Sequence, residues 1–331
     1  MSKNAVKNIK ERALLLEILT KLNVDVLINR LEISNVETKQ FFEEKLFKMK
    51  SGIVGEDRLN KIFNHYQFPF PYQVLKGVSL DSGGKFQTDC LILTPNLIIL
   101  LESKNISGKL YFESNPERLV REKENGLIDV YESPEVQVER NVTLLKMWLE
   151  EHGLKIPVVG AFILTSAKHP IVVKEPLRIQ ALFPKSVFSY VHQQWNQYRN
   201  RKQFLSIDGM EKLREMIELE SVKNRYEQFP LRKRWSFENV KLVQGVRCCR
   251  CNKIGMTWIS RSWECKCGYK DKDAHIPTLQ EWFIFNKNTI TNKECREYLM
   301  IDSRHVIKRL LKHKCILEIG NTKGTNYKWN W

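Results

Sequence analysis

Two carboxylates and a lysine on neighbouring apolar stretches carry the first candidate chemistry. Segments 87–94 and 97–104 both read as strands, and Pro95 and Asn96 between them read as a two-residue turn. Such a turn sets Thr94 across from Leu97, so paired positions share the sum of 94 and 97, and Asp89 falls directly opposite Glu102. Opposed β-carbons lie about 4.5–5.5 Å apart, where like charges repel unless a cation screens them. Lys104 shares a face with Glu102 because side chains alternate with period two. Charged groups among residues as apolar as Leu100 and Leu101 are costly to bury without a task. Asp89, Glu102 and the Ser103 carbonyl offer hard oxygen ligands to Mg²⁺ or Mn²⁺, which would polarise a phosphoryl oxygen and acidify a bound water. Lys104 can orient or deprotonate that water and stabilise the developing charge. The chemistry is that of phosphodiester hydrolysis. The plain alternative is a solvated edge strand carrying Glu102 and Lys104, with Asp89 ending a turn.

A second constellation is made of cysteines. Cys248 and Cys251, then Cys265 and Cys267, have the outline of a zinc ribbon, two turns presented by short strands that close a thiolate site for structural Zn²⁺. Trp258 and Trp263 are expected to cover its small core. The second pair is separated by Lys266 alone, where two residues are usual, and Cys249 is a spare thiol that could replace Cys248 as ligand. Clustered cysteines in a chain expected in the cytosol favour metal over disulfides. Cys90 is expected to be a core thiol, and His65 and His169 have no ligand-like company.

A third is a basic helix expected over 303–313. Val306, Ile307, Leu310 and Leu311 fall on one side at 100° per residue, while Arg304, His305, Lys308, Arg309 and Lys312 centre opposite, with no acidic residue within the segment. That face suits a groove lined by phosphates. Ahead of it, 277–286 reads as a helix, and Thr291 caps a second with Glu294 at the capping-box position. Residues 315–319 and 326–329 follow as a hairpin. The pattern resembles a winged helix-turn-helix, a common DNA-binding module.

These groups need elements to hold them. The first 50 residues read as helical scaffold, including an amphipathic stretch over 36–49; a separate helix is expected over 52–66. Three strands follow at 72–80, 87–94 and 97–104. A long helix over 134–151 opens with Pro134 after Ser133 and stops before Gly153. The apolar run 156–165 suits a buried strand. The order helix, three strands, helix, strand is an α/β core, with helices at 187–198 and 209–220 packing on it and a linker over 223–238. Lys109, Arg118, Arg121 and Lys123 read equally as a nucleic-acid groove or a solvated charged loop.

Charge agrees with a polyanionic partner. Lysine and arginine total 54 against 38 acidic residues, a net +16, and residues 241–331 hold 18 basic and 8 acidic residues of these, or +10. No apolar run is long enough to span a bilayer, no signal peptide is expected, and the expected compartment is the cytosol.

The spacing around the carboxylates also resembles a known family. Gly52-x-x-Gly55-Glu56, then Thr88-Asp89-x-Leu91-Ile92-Leu93, then Leu101-Glu102-Ser103-Lys104-Asn105-x-Ser107-Gly108, and Ser133-Pro134-x-x-Gln137-x-x-x-Asn141 are similar to the motifs of the nuclease-related (NERD) domain, a branch of the PD-(D/E)XK nuclease superfamily. The resemblance covers roughly residues 40–170. It implies a restriction-endonuclease-like core, with Glu56, Asp89, Glu102 and Lys104 as the active-site set and Gln137 as a supporting polar group. The expectation is therefore an Mg²⁺-dependent nuclease acting on DNA, with RNA left open. Its domains would be a nuclease-like 1–235, a zinc ribbon over 243–272 and a winged helix over 276–331. The rival readings are a non-cleaving DNA-binding regulator and an interaction protein of a plasmid-maintenance or defence system. Oligomeric state is left open.

Overall fold

The computed structural model describes residues 26–32, 36–226, 230–234, 240–320 and 325–330. Among these the chain forms two compact units, one of residues 47–224 and one combining 26–46 with 225–330.

In the first unit, the part of helix α1 (Val36–His65) from Phe47 onward leads into strands β1 (Gln73–Asp81), β2 (Lys85–Leu93) and β3 (Ile98–Lys104). The two helices expected over 36–49 and 52–66 are thus one, with Gly52 accommodated inside it. A meander of β4 (Lys109–Ser114), β5 (Glu117–Glu122) and β6 (Ile128–Glu132) precedes helix α2 (Pro134–Glu151) and strand β7 (Val158–Leu164). Short strands β8 (Ile171–Lys174) and β9 (Gln180–Leu182) and helices α3 (Val187–Tyr198) and α4 (Ile207–Tyr226) complete the unit. The expected linker over 223–238 is partly helix: α4 runs through Tyr226, and α5 (Leu231–Arg234) follows.

The central sheet has the order β1-β2-β3-β7-β9, and a second sheet has the order β6-β5-β4-β8. β3 and β7 are parallel neighbours, joined through α2. Apolar cores lie on both faces of the central sheet: Leu91, Leu93, Ile98, Leu100 and Phe162 pack with Val138, Leu145 and Trp148 of α2, while Cys90, Ile92, Ile99 and Leu101 pack with Leu59 and Ile62 of α1 and Val191 of α3. Gly160 lets α2 come close, since a β-carbon there would stand 2.4 Å from Val138 Cγ1 and 2.9 Å from Val142 Cγ2. α2 itself starts where Ser133 accepts a hydrogen bond from the Glu135 amide, with Pro134 at a position that needs no donor.

One irregularity matters for the site. Leu75 and Val78 of β1, and Phe86 and Leu91 of β2, all join the same core, although strict alternation would send the members of each pair to opposite faces. The β1–β2 register is unchanged across the break, from Lys76↔Cys90 to Val78↔Thr88. The exchange of faces falls at the intervening positions 77 and 89, where Gly77 takes φ +55, a conformation that side chains disfavour. Asp89 stands at this kink.

In the second unit, β10 (Val246–Arg247), β11 (Ile254–Ile259), β12 (Ser262–Glu264) and β13 (Lys270–Asp271) form an antiparallel sheet. It is followed by α6 (His275–Phe285), β14 (Ile290–Thr291), α7 (Asn292–Leu299), α8 (Arg304–Leu310), β15 (Ile316–Ile319) and β16 (Asn326–Trp329), the last strands ordered β14-β16-β15. Thr291 and Glu294 make the expected reciprocal cap, and Met300 turns the chain in the left-handed region after α7. The two halves share one interior: Val246, Cys248, Met256 and Trp263 pack with Leu279, Phe283, Leu299, Ile307 and Trp329. Arg30, fully buried, is held by Glu281 at 2.5 Å and by the Val243 carbonyl at 2.8 Å, while Arg247 reaches the other oxygen of Glu281 at 2.8 Å. An ion pair so enclosed persists because each charge is answered.

Candidate active site and cysteine centre

The β2–β3 ladder has the register expected from the turn, pairing Leu93↔Ile98, Ile92↔Ile99, Leu91↔Leu100 and Cys90↔Leu101. It ends there. The next pair, Asp89 and Glu102, is outside the ladder. Instead the Ser103 amide donates to Asp89 Oδ2 at 2.7 Å, and the Ser103 hydroxyl donates to the same oxygen at 2.6 Å. Asp89 is half-buried at the kink; Glu102 is 2% exposed.

Glu102 is held from α2. Asn141 Nδ2 donates to its Oε1 at 3.0 Å, and Gln137 Nε2 donates to its Oε2 at 3.2 Å. The other end of the Gln137 amide accepts from Lys104 Nζ. Gln137 and Asn141 are four apart and so project from one helix face, and the close approach at Gly160 brings that face to β3. Burial, joined by the neighbouring charge of Asp89, pushes the Glu102 carboxyl up to about 8. Glu102 and Lys104 are thus linked through an amide. Two further residues join the site beyond those expected. Asn141 is visible within the helix motif, which by itself gives it no role. Arg58 of α1 donates to the Thr165 carbonyl, just beyond β7, and the Thr165 amide donates to Lys104 O at 2.9 Å. Its signal is its place two residues after Glu56. Glu56 itself falls within α1, and its side chain lies outside the described residues, as does that of His65.

Cys90 is fully buried in the core, as expected. Exposed His169 makes an edge-to-face contact with Phe183. The basic residues of the 109–123 stretch lie on the β4–β6 meander, each against a carboxylate: Lys109 with Glu122 at 3.0 Å, Arg118 with Glu113 at 2.5 Å, and Arg121 and Lys123 with Asp129 at 2.5 and 2.9 Å. Their charge is answered within the sheet, which favours the structural of their two readings.

Two carboxylates and a lysine of the central strands thus gather with two amides of α2 around one polar centre in a mixed α/β unit. Residues 51–165 match the family model of NERD, the nuclease-related domain. No curated protein and no solved structure matches the chain.

In the second unit, the thiols of Cys248, Cys251, Cys265 and Cys267 converge, all within 4.8 Å of one another. Cys248 and Cys267 sulfurs stand 3.8 Å apart, and those of Cys251 and Cys265 3.6 Å apart. Four thiolates about 2.3 Å from a common Zn²⁺ stand about 3.8 Å apart along the edges of a tetrahedron, so the four could bind zinc. The single residue between Cys265 and Cys267 is enough, because the Gly268 amide closes a turn on the Cys265 carbonyl at 2.9 Å. Cys249 is exposed and outside the four. The rings of Trp258 and Trp263 lie 5.1 Å apart, and Trp263 is buried. The Trp263 indole donates to His275 Nδ1 at 3.2 Å; the opposite ring nitrogen of His275, left to carry the proton, faces the Leu310 carbonyl at the end of α8 at 3.3 Å.

α8 is shorter than expected, ending at Leu310 with Leu311 as its cap, so Lys312 lies beyond it. Ser303 caps its start by accepting from the Val306 amide. Ile307, Leu310 and Leu311 are buried, and Arg304, His305, Lys308, Arg309 and Lys312 are all exposed. No side chain of these five makes an ion pair among the described residues. No helix among the described residues is long and apolar enough to cross a membrane.

Proposed function

We propose that the chain is a divalent-metal-dependent nuclease of the PD-(D/E)XK, restriction-endonuclease-like type that hydrolyses phosphodiester bonds of DNA. The observation that carries this reading is the linked set of Glu102, Gln137 and Lys104 beside Asp89, within the nuclease-related segment. Asp89, Glu102 and the Ser103 carbonyl are the oxygens that would hold Mg²⁺ or Mn²⁺. The donor set fits such an ion, since all are hard oxygens, and the environment that raises the proton affinity of Glu102 is one a cation would relieve. When bound, the ion would polarise a phosphoryl oxygen and lower the pKa of water. Lys104, aimed by the Gln137 amide, supplies positive charge where negative charge develops on the phosphoryl oxygens and can hold a water by hydrogen bonding. Glu56 belongs to the same set by its place in the motif.

The second unit would bring nucleic acid to this site. Three helices with a β14-β16-β15 sheet suit a winged helix-turn-helix, with α8 as the reading helix and β15–β16 as the wing. The cysteine-bearing strands would be a zinc ribbon with structural Zn²⁺.

The test is incubation with plasmid DNA and Mg²⁺, with a parallel RNA substrate. Wild-type protein should cut DNA, and Lys104→Ala should not. Cleavage by Lys104→Ala at the wild-type rate overturns the assignment, and binding without cleavage by the wild type turns the reading to a non-cleaving regulator.

A further inference from the structure

We infer that Ser103 is a positioning residue for Asp89: its amide and hydroxyl together fix one carboxylate oxygen and leave the other to face a divalent cation. The inference rests on the metal-dependent reading above and goes beyond it, because that reading uses only the Ser103 carbonyl.

Asp89 sits where the β1–β2 alternation breaks and where the β2–β3 ladder has already ended, so the backbone pairing does little to orient its side chain. Ser103 supplies what the ladder does not. Both of its donors converge on Oδ2, at 2.7 Å from the amide and 2.6 Å from the hydroxyl. Oδ1 receives no hydrogen bond among the described residues. A carboxylate pinned through one oxygen cannot turn freely about its terminal bond, so the remaining oxygen keeps one direction. Any residue at position 103 has an amide, but only a hydroxyl-bearing one adds the second donor, and hydrogen bonds to an ionised acceptor are the strong kind. Glu102, by contrast, is held by two amides from α2. The two carboxylates are therefore oriented independently, and loss of the Ser103 hydroxyl would disturb Asp89 alone.

The experiment compares wild type, Ser103→Ala, Ser103→Thr and Asp89→Asn in the full-length protein. Mn²⁺ binding is followed by the loss of its free-ion paramagnetic resonance signal, and DNA cleavage is followed against Mg²⁺ concentration. Ser103→Ala should need roughly tenfold more of either ion for half-saturation, the size expected for removing one charge-assisted hydrogen bond. Ser103→Thr, which restores the hydroxyl, should return the Mn²⁺ affinity to within about twofold of wild type. An equal melting temperature for all four proteins separates orientation from folding; if Ser103→Ala melts early, Ser103→Cys, with a weak donor of nearly the same size, should show an intermediate Mn²⁺ affinity. Unchanged metal dependence in Ser103→Ala, while Asp89→Asn loses Mn²⁺, overturns the inference and leaves the nuclease reading standing. Wild type that binds no better than Asp89→Asn overturns the metal site itself.

Discussion

Asn141 and Glu102 are joined at 3.0 Å, and the same Asn141 nitrogen also donates to the Gln87 carbonyl at 2.8 Å, so one buried amide ties the carboxylate of β3 to the backbone of β2. Asn141→Ala removes that tie and leaves Gln137 as the remaining amide on Glu102. Hydrogen bonds to charged groups contribute about 1.5–3 kcal/mol, so cleavage should slow by roughly 10- to 100-fold. DNA affinity should hold, and single-turnover kinetics beside a binding isotherm will separate the two.

Replacing Gly160 tests how α2 delivers its amides. Gly160→Ala must displace both Val138 and Val142, a clash that costs about 1–3 kcal/mol of stability when a packed core is overfilled. Chemical denaturation should show that decrease. Cleavage should fall further than the folded fraction does, because Gln137 and Asn141 move with the helix.

The purified protein should hold about one zinc per chain. Cys248→Ser should lose it and Cys249→Ser should keep it, since only the former belongs to the converging four. Elemental analysis of the two variants decides the matter, and a metal-free, well-folded wild type would remove the ribbon.

How much of this is legible from residues alone differs by element. The bounds of α2, the β2–β3 register and the Thr291 cap are all readable, because each rests on local chemistry: a proline after a serine, a two-residue turn, a threonine three before a glutamate. The meander β4–β6 is not. Its outer face alternates lysine, arginine and glutamate, which in sequence resembles a charged loop and in the fold makes cross-strand ion pairs. Asp89 is identifiable as a candidate, but its geometry is not, since strict alternation does not foresee a kink set by Gly77. The sequence overstates the length of α8 because Lys312 continues the helical pattern beyond the cap at Leu311.

His275 gives the second unit a dependence on pH. Burial lowers its pKa below the usual 6.5, and its Nδ1 must stay unprotonated to accept from Trp263. The unfolded chain therefore binds this proton more readily than the folded one. Stability from this group is complete above about pH 6.5 and falls below it, by at most about 1.4 kcal/mol per pH unit until the folded pKa is passed. Tryptophan-monitored unfolding from pH 7.5 to 5 should show the decline, and His275→Gln should flatten its slope by up to one proton.

Replacing Lys308 and Arg309 together with alanine should weaken DNA binding and reduce the slope of log affinity against log salt by roughly 0.9 for each phosphate that is no longer neutralised. The fold should persist, as both side chains are exposed. An unchanged slope would assign this unit to a partner other than nucleic acid.

The common interior of the cysteine-bearing strands and the three helices bears on how such chains can be rearranged. Cys248 and Trp263 pack into the same core as Leu279, Phe283 and Ile307, so the cysteine-bearing strands are not a cassette to be spliced in or out. A recombined chain that kept the helices and exchanged the cysteine-bearing strands would expose the apolar backs of α6 and α8, and would have to acquire matching residues on both sides of the junction before either half was sound.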